Sequence, residues 1–218
     1  MKFLLTSAGI TNKYISDAIT DLAGKPSEEI NFLFVPTAAN LESGDKGWLI
    51  DNLVEFKKQN FKTIDIVDIA AVPAEIWKHR FEAADVICFG GGNEQYLAKI
   101  FDNVGMKEYL SNILKEKVYV GISAGSMVVG QFIAPELMKV VYPEEVYPKL
   151  ADSLAFVDFC FIPHLNSEWF THVRNDVLAE VKDQVNAPIY AFDDETALKV
   201  VDGHSDVVGI GEFWGFER

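Results

Sequence analysis

The stretch VYVGISAGSMVVG (118–130) places one hydroxyl, Ser123, between Gly121 and Gly125, behind an apolar run and ahead of small residues. The pattern G-x-S-x-G fits a nucleophile elbow, a sharp strand-to-helix turn that exposes a serine oxygen and admits only small neighbours. A helix beginning at Ala124 would also turn free N–H groups, and its positive dipole end, toward developing negative charge. A plain packing turn uses the same residue types, so the pentapeptide alone leaves both readings open. A second glycine-rich turn, GGGN (90–93), follows another apolar run. Its backbone N–H groups can approach a ligand closely, as the second wall of an oxyanion hole requires. It lacks the spacing of GxGxxG and the Lys and Ser/Thr of a Walker A loop, which argues against a nucleotide site.

A serine nucleophile needs a base, and the chain has four histidines. His79 and His172 sit in stretches that read as solvated helix, and His204, in VDGHSD, reads as a hairpin turn. His164, in FCFIPHLN, directly follows a long apolar strand, where a catalytic side chain would be held rigidly. It is the expected general base. A carboxylate should orient its imidazole, and Glu136, Asp152 and Asp158 all lie between Ser123 and His164.

These side chains need a frame, and the apolar pattern supplies one. Strand-like runs at 2–6, 30–36, 62–68, 85–93 and 118–123 alternate with helical spacing through Ile15, Ala18, Ile19 and Leu22, through Trp48, Leu49, Leu53 and Phe56, and over 74–84, 94–101 and 106–114. Strands apolar on both faces, separated by helices, predict a parallel sheet covered on both sides, and hence a three-layer α/β domain. In such sheets ligands bind outside the carboxyl ends of the strands, where both glycine turns fall. Beyond Gly130 the pattern predicts an irregular excursion over 134–150, a strand over 154–163 and a long helix over 167–185. The tail (PIYAF, TALKVVDG, DVVGIGEFWGF) reads as short antiparallel strands added at one edge. No repeat or linker divides the chain, so 1–218 is read as one domain.

The net charge of -14 sets a field that repels a phosphate backbone or an anionic membrane, so nucleic acid and membrane are not expected partners. No stretch approaches the roughly 20 apolar residues of a membrane span, and MKFLLTSAGIT reads as a first strand, so a cytoplasmic location is expected. Cys88 and Cys160 both lie in apolar runs without CxxC or Cys/His spacing. They read as buried, reduced thiols, and neither a metal nor a disulfide is expected.

Taken together, GISAG with Ser123, the upstream VPTAA (35–39) and GGGN, and the downstream IPH with His164 resemble the peptidase E family of aspartyl dipeptidases. The resemblance implies a flavodoxin-like sheet of the class I glutamine amidotransferase type. It implies Ser123 as nucleophile, His164 as base and an oxyanion hole made by the N–H groups of Gly92 and Ala124, with no cofactor. It also implies a small peptide substrate, Asp-X dipeptides among them, hydrolysed by a monomer or homodimer. The family's acid follows the elbow within a polar run carrying an Asp; here that stretch reads FIAPELMK and offers Glu136. A basic residue beyond His164 should bind an aspartate side chain, and Arg174 is the candidate. Two rivals use the same residues differently. An α/β-hydrolase esterase would take His204 as base with Asp193 or Asp194 as acid, and a binding module would keep the fold without the chemistry. A cysteine-based amidotransferase is excluded because the elbow carries Ser123.

Overall fold

Five of the apolar runs form parallel strands: β1 (Lys2–Thr6), β2 (Asn31–Val35), β3 (Thr63–Ile66), β4 (Val86–Phe89) and β5 (Val118–Ile122). They lie side by side in the order β3-β2-β4-β5-β1, each neighbouring pair parallel. Two further strands, β8 (Thr196–Val201) and β9 (His204–Gly209), extend the β1 edge antiparallel, completing seven strands. The computed structural model describes residues 1–131, 135–143 and 151–216, with the backbone alone at 135–137.

Alternation along each strand divides the core in two. Phe3, Leu5, Leu33, Val35, Ile87, Phe89 and Tyr119 face helices α3 (Ala74–Ala83), α4 (Glu94–Val104) and α5 (Met106–Ile113). Leu4, Phe32, Phe34, Val86, Cys88, Val118 and Val120 face α1 (Lys13–Ala23) and α2 (Gly47–Lys58). Burying both faces is what makes these strands continuously apolar in sequence. The result is a single α/β domain with a mostly parallel sheet and antiparallel strands at one edge. Among the described residues, no helix is long and apolar enough to cross a membrane.

The second half departs from the sequence reading in three ways. The strand expected over 154–163 is confined to β6 (Cys160–Ile162). PIYAF becomes β7 (Ile189–Phe192), which does not join the large sheet. It pairs parallel with β6 and antiparallel with β10 (Phe213–Phe216), making a separate three-stranded sheet. The helix expected over 167–185 shrinks to α8 (Asn175–Val181) and a short 3-10 turn, with irregular chain before it. Residues from α7 (Pro135–Val141) and α8 cover this small sheet in a third cluster, with Met138, Val141, Leu178 and Val181 against Cys160, Ile162, Ile189 and Ala191.

The two sheets meet at the carboxyl end of β1. The buried Ser7 hydroxyl donates to the Phe192 carbonyl at 2.8 Å and accepts from the His164 N–H at 3.1 Å. The Leu165 N–H donates to the same Phe192 carbonyl at 2.9 Å. Ser7→Ala leaves the His164 N–H without this acceptor, a loss of roughly 1–3 kcal/mol for a buried donor. The thermal midpoint should fall by about 3–10 °C. A variant that melts like the parent would show that the seam holds without Ser7.

Candidate active site

The elbow is built around contacts that only glycine permits. Ser123 follows β5, its N–H donating to the Thr6 carbonyl at 2.9 Å. It takes φ 48 and ψ -110 before the one-turn helix α6 (Ala124–Met127). A Cβ on Gly121 would lie 2.7 Å from the Ser126 backbone, and one on Gly125 would lie 2.1 Å from the Phe89 carbonyl oxygen. A non-glycine residue at positive φ costs about 1–3 kcal/mol and persists only where its surroundings over-determine it. Here they do. Ser126 Oγ donates to the Thr6 carbonyl at 2.8 Å and accepts from the Thr6 N–H at 3.0 Å, while Thr6 Oγ1 donates to the Gly121 carbonyl at 2.7 Å. The Tyr119 phenol donates to the Gly125 carbonyl at 2.7 Å, and full burial raises its pKa well above the ordinary phenol value, keeping the proton in place. Because α6 is four residues long, the macrodipole expected from the sequence is small; the elbow's free N–H groups are what it offers.

The GGGN turn stands directly beside the nucleophile. A Cβ on Gly91 would sit 3.4 Å from Ser123 Cβ. Gly92 has φ +128, and a Cβ there would meet the Ala38 carbonyl oxygen at 2.3 Å. That carbonyl accepts the Asn93 N–H at 3.0 Å, and the Asn93 side chain caps α4 at the Tyr96 N–H. Among the described residues the N–H groups of Gly92 and Ala124 bond no backbone carbonyl. Trp48 borders the same turn, its Cζ3 3.6 Å from where a Gly91 Cβ would stand, with Lys46 Nζ 5.6 Å from the centre of the indole.

His164 and Asp194 come from the small sheet. His164 lies two residues beyond the end of β6 and Asp194 two residues beyond the end of β7, at the same end of a parallel pair. His164 Nε2 lies 3.0 Å from Ser123 Oγ, and His164 Nδ1 lies 2.7 Å from Asp194 Oδ1. A carboxylate only accepts, so Nδ1 carries the proton and Nε2 is free to accept from the serine hydroxyl. His164 itself has φ 66 and is mostly buried, its side chain 13% exposed. The preceding Asp193 shapes the turn instead: its carboxylate accepts from the N–H groups of Glu195 and Glu212.

Among the described residues the carboxylate that meets His164 is Asp194 rather than one lying between Ser123 and His164. Both ring nitrogens of His164 are taken, by Ser123 and Asp194, which leaves neither for Glu136, Asp152 or Asp158. Glu136 falls on α7, with its side chain outside the described residues. Asp194 had been weighed only beside His204, which lies exposed at the start of β9. The signal that could have found it is a carboxylate pair directly after a buried strand, the same place in the fold as His164.

Arg174 also differs from expectation. It is not within a helix but precedes α8, and its guanidinium donates to its own loop: to the Phe170 carbonyl at 3.0 Å, the Val173 carbonyl at 2.9 Å and the Ser167 carbonyl at 2.8 Å.

Cys160 and Cys88 are free and buried; burial pushes the Cys160 thiol up to about 11 and holds Cys88 above the ordinary thiol range. Neither is a thiolate near neutral pH. Among the described residues no three His, Cys, Asp or Glu side chains converge as metal ligands. A groove of about 790 Å³, lined by Met1, Phe3, Phe156, Asp158, Tyr190 and Asp202, opens at the other end of β1, and Ser123, His164 and Asp194 do not line it.

Comparison with known proteins points the same way as the elbow. Residues 3–208 match the model of peptidase family S51. An uncharacterized peptidase of Listeria innocua is 25% identical over 186 residues, covering 79% of this chain and 86% of its own. One of Listeria monocytogenes is 25% identical over 170 residues, covering 76% and 79%. The fold is shared with a crystal structure of a candidate peptidase E protein from Listeria monocytogenes EGD-e, at TM-score 0.74, 20% identity and coverage of 96% of this chain and 98% of that one. It is shared too with a peptidase from an acI-B1 Actinobacterium, at TM-score 0.68, 18% identity and coverage of 99% and 93%. With a family match over nearly its whole length, this chain belongs to peptidase family S51 and is a serine peptidase.

Proposed function

We propose that the chain hydrolyses short peptides through a Ser123–His164–Asp194 triad. The observation that carries this reading is the continuous pair of contacts at 3.0 and 2.7 Å from serine oxygen through imidazole to carboxylate. His164 Nε2 takes the hydroxyl proton as Ser123 Oγ attacks the scissile carbonyl carbon. Asp194 holds the ring and stabilises the imidazolium that forms. The N–H groups of Gly92 and Ala124 receive the developing oxyanion, and such preorganised donors commonly supply the largest share of rate enhancement. His164 then gives its proton to the departing amine, and water hydrolyses the acyl-enzyme with the same imidazole as base.

Dipeptides of the Asp-X type belong to this reading, as the family resemblance implies. A protein of net charge -14 needs a local cation to hold a substrate carboxylate. Arg174 has donors committed to its own loop, whereas Lys46 lies over Trp48, which borders the GGGN turn. Two protonated, buried thiols fit the reducing cytoplasm.

Ser123→Ala should lower kcat by roughly a millionfold, and Asp194→Asn by roughly ten-thousandfold with KM little changed. Glu136→Gln should leave kcat as it is; the reverse ranking of the two acid variants would return the role to Glu136. A fluorophosphonate should label Ser123 and stop turnover, whereas iodoacetamide at neutral pH should not, because neither thiol ionises there. Iodoacetamide inactivation of the folded enzyme would point to a cysteine instead. On substrate class, kcat/KM for Asp-Leu should exceed that for Ala-Leu by about tenfold or more, the usual scale of a charge-assisted hydrogen bond. Equal values would remove the acidic preference and leave the peptidase chemistry standing.

A further inference from the structure

Phe170 lies flat on the catalytic imidazole: the two ring centres are 4.3 Å apart and the planes 9° from parallel. Behind it, Tyr142 presents an edge, with centroids 5.9 Å apart at 90°, and the Tyr142 hydroxyl donates to the Pro163 carbonyl at 3.3 Å, one residue before His164. The loop that delivers Phe170 has little regular structure, yet it is closed on itself. Ser167 N–H donates to the His164 carbonyl, Asn166 N–H to the Val173 carbonyl and Val173 N–H to the Phe170 carbonyl. The Arg174 guanidinium donates to the Phe170 and Val173 carbonyls as well and adds the Ser167 carbonyl. The preceding residue, Trp169, is 89% exposed, so the loop leaves the larger ring in solvent and turns the smaller one onto His164.

A cation over an aromatic face within about 6 Å is attracted to it. The imidazole is neutral before attack and cationic as the serine proton arrives, so the same stack strengthens toward the transition state, and only such differential interactions accelerate the chemical step.

We propose that Phe170 is a positioning residue for the triad, a platform that fixes the His164 ring between Ser123 and Asp194 and favours its protonated form, and that Arg174 fastens this platform. The inference builds on the triad reading above. It gives Arg174 a role that does not touch substrate.

The test compares Phe170→Leu, Phe170→Trp and Arg174→Met with the parent enzyme. Two readouts are needed: kcat and KM on a neutral dipeptide, and the second-order rate of inactivation by diisopropyl fluorophosphate, which reads Ser123 activation without peptide binding. Phe170→Leu should lower kcat and the inactivation rate together by about 2- to 30-fold, the span of one cation–π contact, with KM held. Phe170→Trp should restore most of both rates, and Arg174→Met should fall in the same direction as Phe170→Leu. Should the leucine variant fail to fold, Phe170→pentafluorophenylalanine keeps the ring shape while reversing its charge distribution, and the same loss is expected. Parental rates in Phe170→Leu, or a change confined to KM, would overturn the platform while Ser123 remained essential. Turnover surviving Ser123→Ala would instead sink the triad, and the platform with it.

Discussion

Ser123 and His164 stand on different sheets, and the 3.0 Å between Ser123 Oγ and His164 Nε2 depends on how those sheets are joined. The join is made at β1, the strand that pairs parallel with the elbow strand β5 and antiparallel with β8. Thr6 at its end binds the elbow through Ser123, Ser126 and Gly121. The next residue, Ser7, binds the small sheet at Phe192 and His164. Two consecutive residues thus reference both halves of the catalytic pair to one backbone. On the far side of the elbow the seam is closed differently. The N–H groups of Leu154 and Phe156 donate to the Val128 and Val129 carbonyls, and Gly130 lies where a Cβ would meet the Phe159 carbonyl oxygen at 2.2 Å. Side chains shift readily, but a buried backbone group without a partner costs free energy. The distance is therefore held by groups that cannot move without leaving polar atoms unpaired.

Both members of the pair occupy strained backbone. Ser123 at φ 48 and His164 at φ 66 are non-glycine residues in a region most side chains avoid. At about 1–3 kcal/mol each, such conformations need compensation close by. The elbow gets it from glycines at 121 and 125 that let chain segments touch. The histidine gets it from its N–H bond to Ser7, the Ser167 N–H on its carbonyl and the ring of Phe170 on its face. What the strain achieves is direction: a serine oxygen lifted off the strand end, and an imidazole turned back across the seam toward it.

Much of this was legible in the sequence, because its cause is local. A strand buried on both faces must be apolar throughout, so β1, β2, β4 and β5 could be read directly. The elbow announces itself through glycines at 121 and 125, where a Cβ would strike backbone. His164 stood out because it ends an apolar run. Asp194 did not, because its partnership depends on β6 pairing with β7 across the intervening chain, and a one-dimensional pattern carries no record of that pairing. Placing the acid between serine and histidine assumed a chain order that triads do not share; the same geometry arises in several orders. The segment 167–174 misled for a different reason. Phe170 and Val173 have helical spacing, but one is committed to the imidazole and the other is buried beneath the loop. A tertiary contact overrode the local period.

The division of the triad between sheets also separates two kinds of precision. His164 and Asp194 each lie two residues beyond the end of one strand of the same parallel pair, and their side chains meet directly at 2.7 Å. Ser123 and His164 share no ladder; they are brought together by Thr6, which binds the elbow, and Ser7, which binds Phe192 and His164. A disturbance at the seam should therefore open the Oγ–Nε2 contact and leave the Nδ1–Asp194 contact intact. His164 and Asp194 form one unit that the seam presents to Ser123. Their orientation is independent of the elbow, and only their distance from it is at risk. An enzyme so arranged can vary the loop between His164 and α8, including the exposed Trp169, without altering how its base is charged and aimed, provided Phe170 stays on the ring.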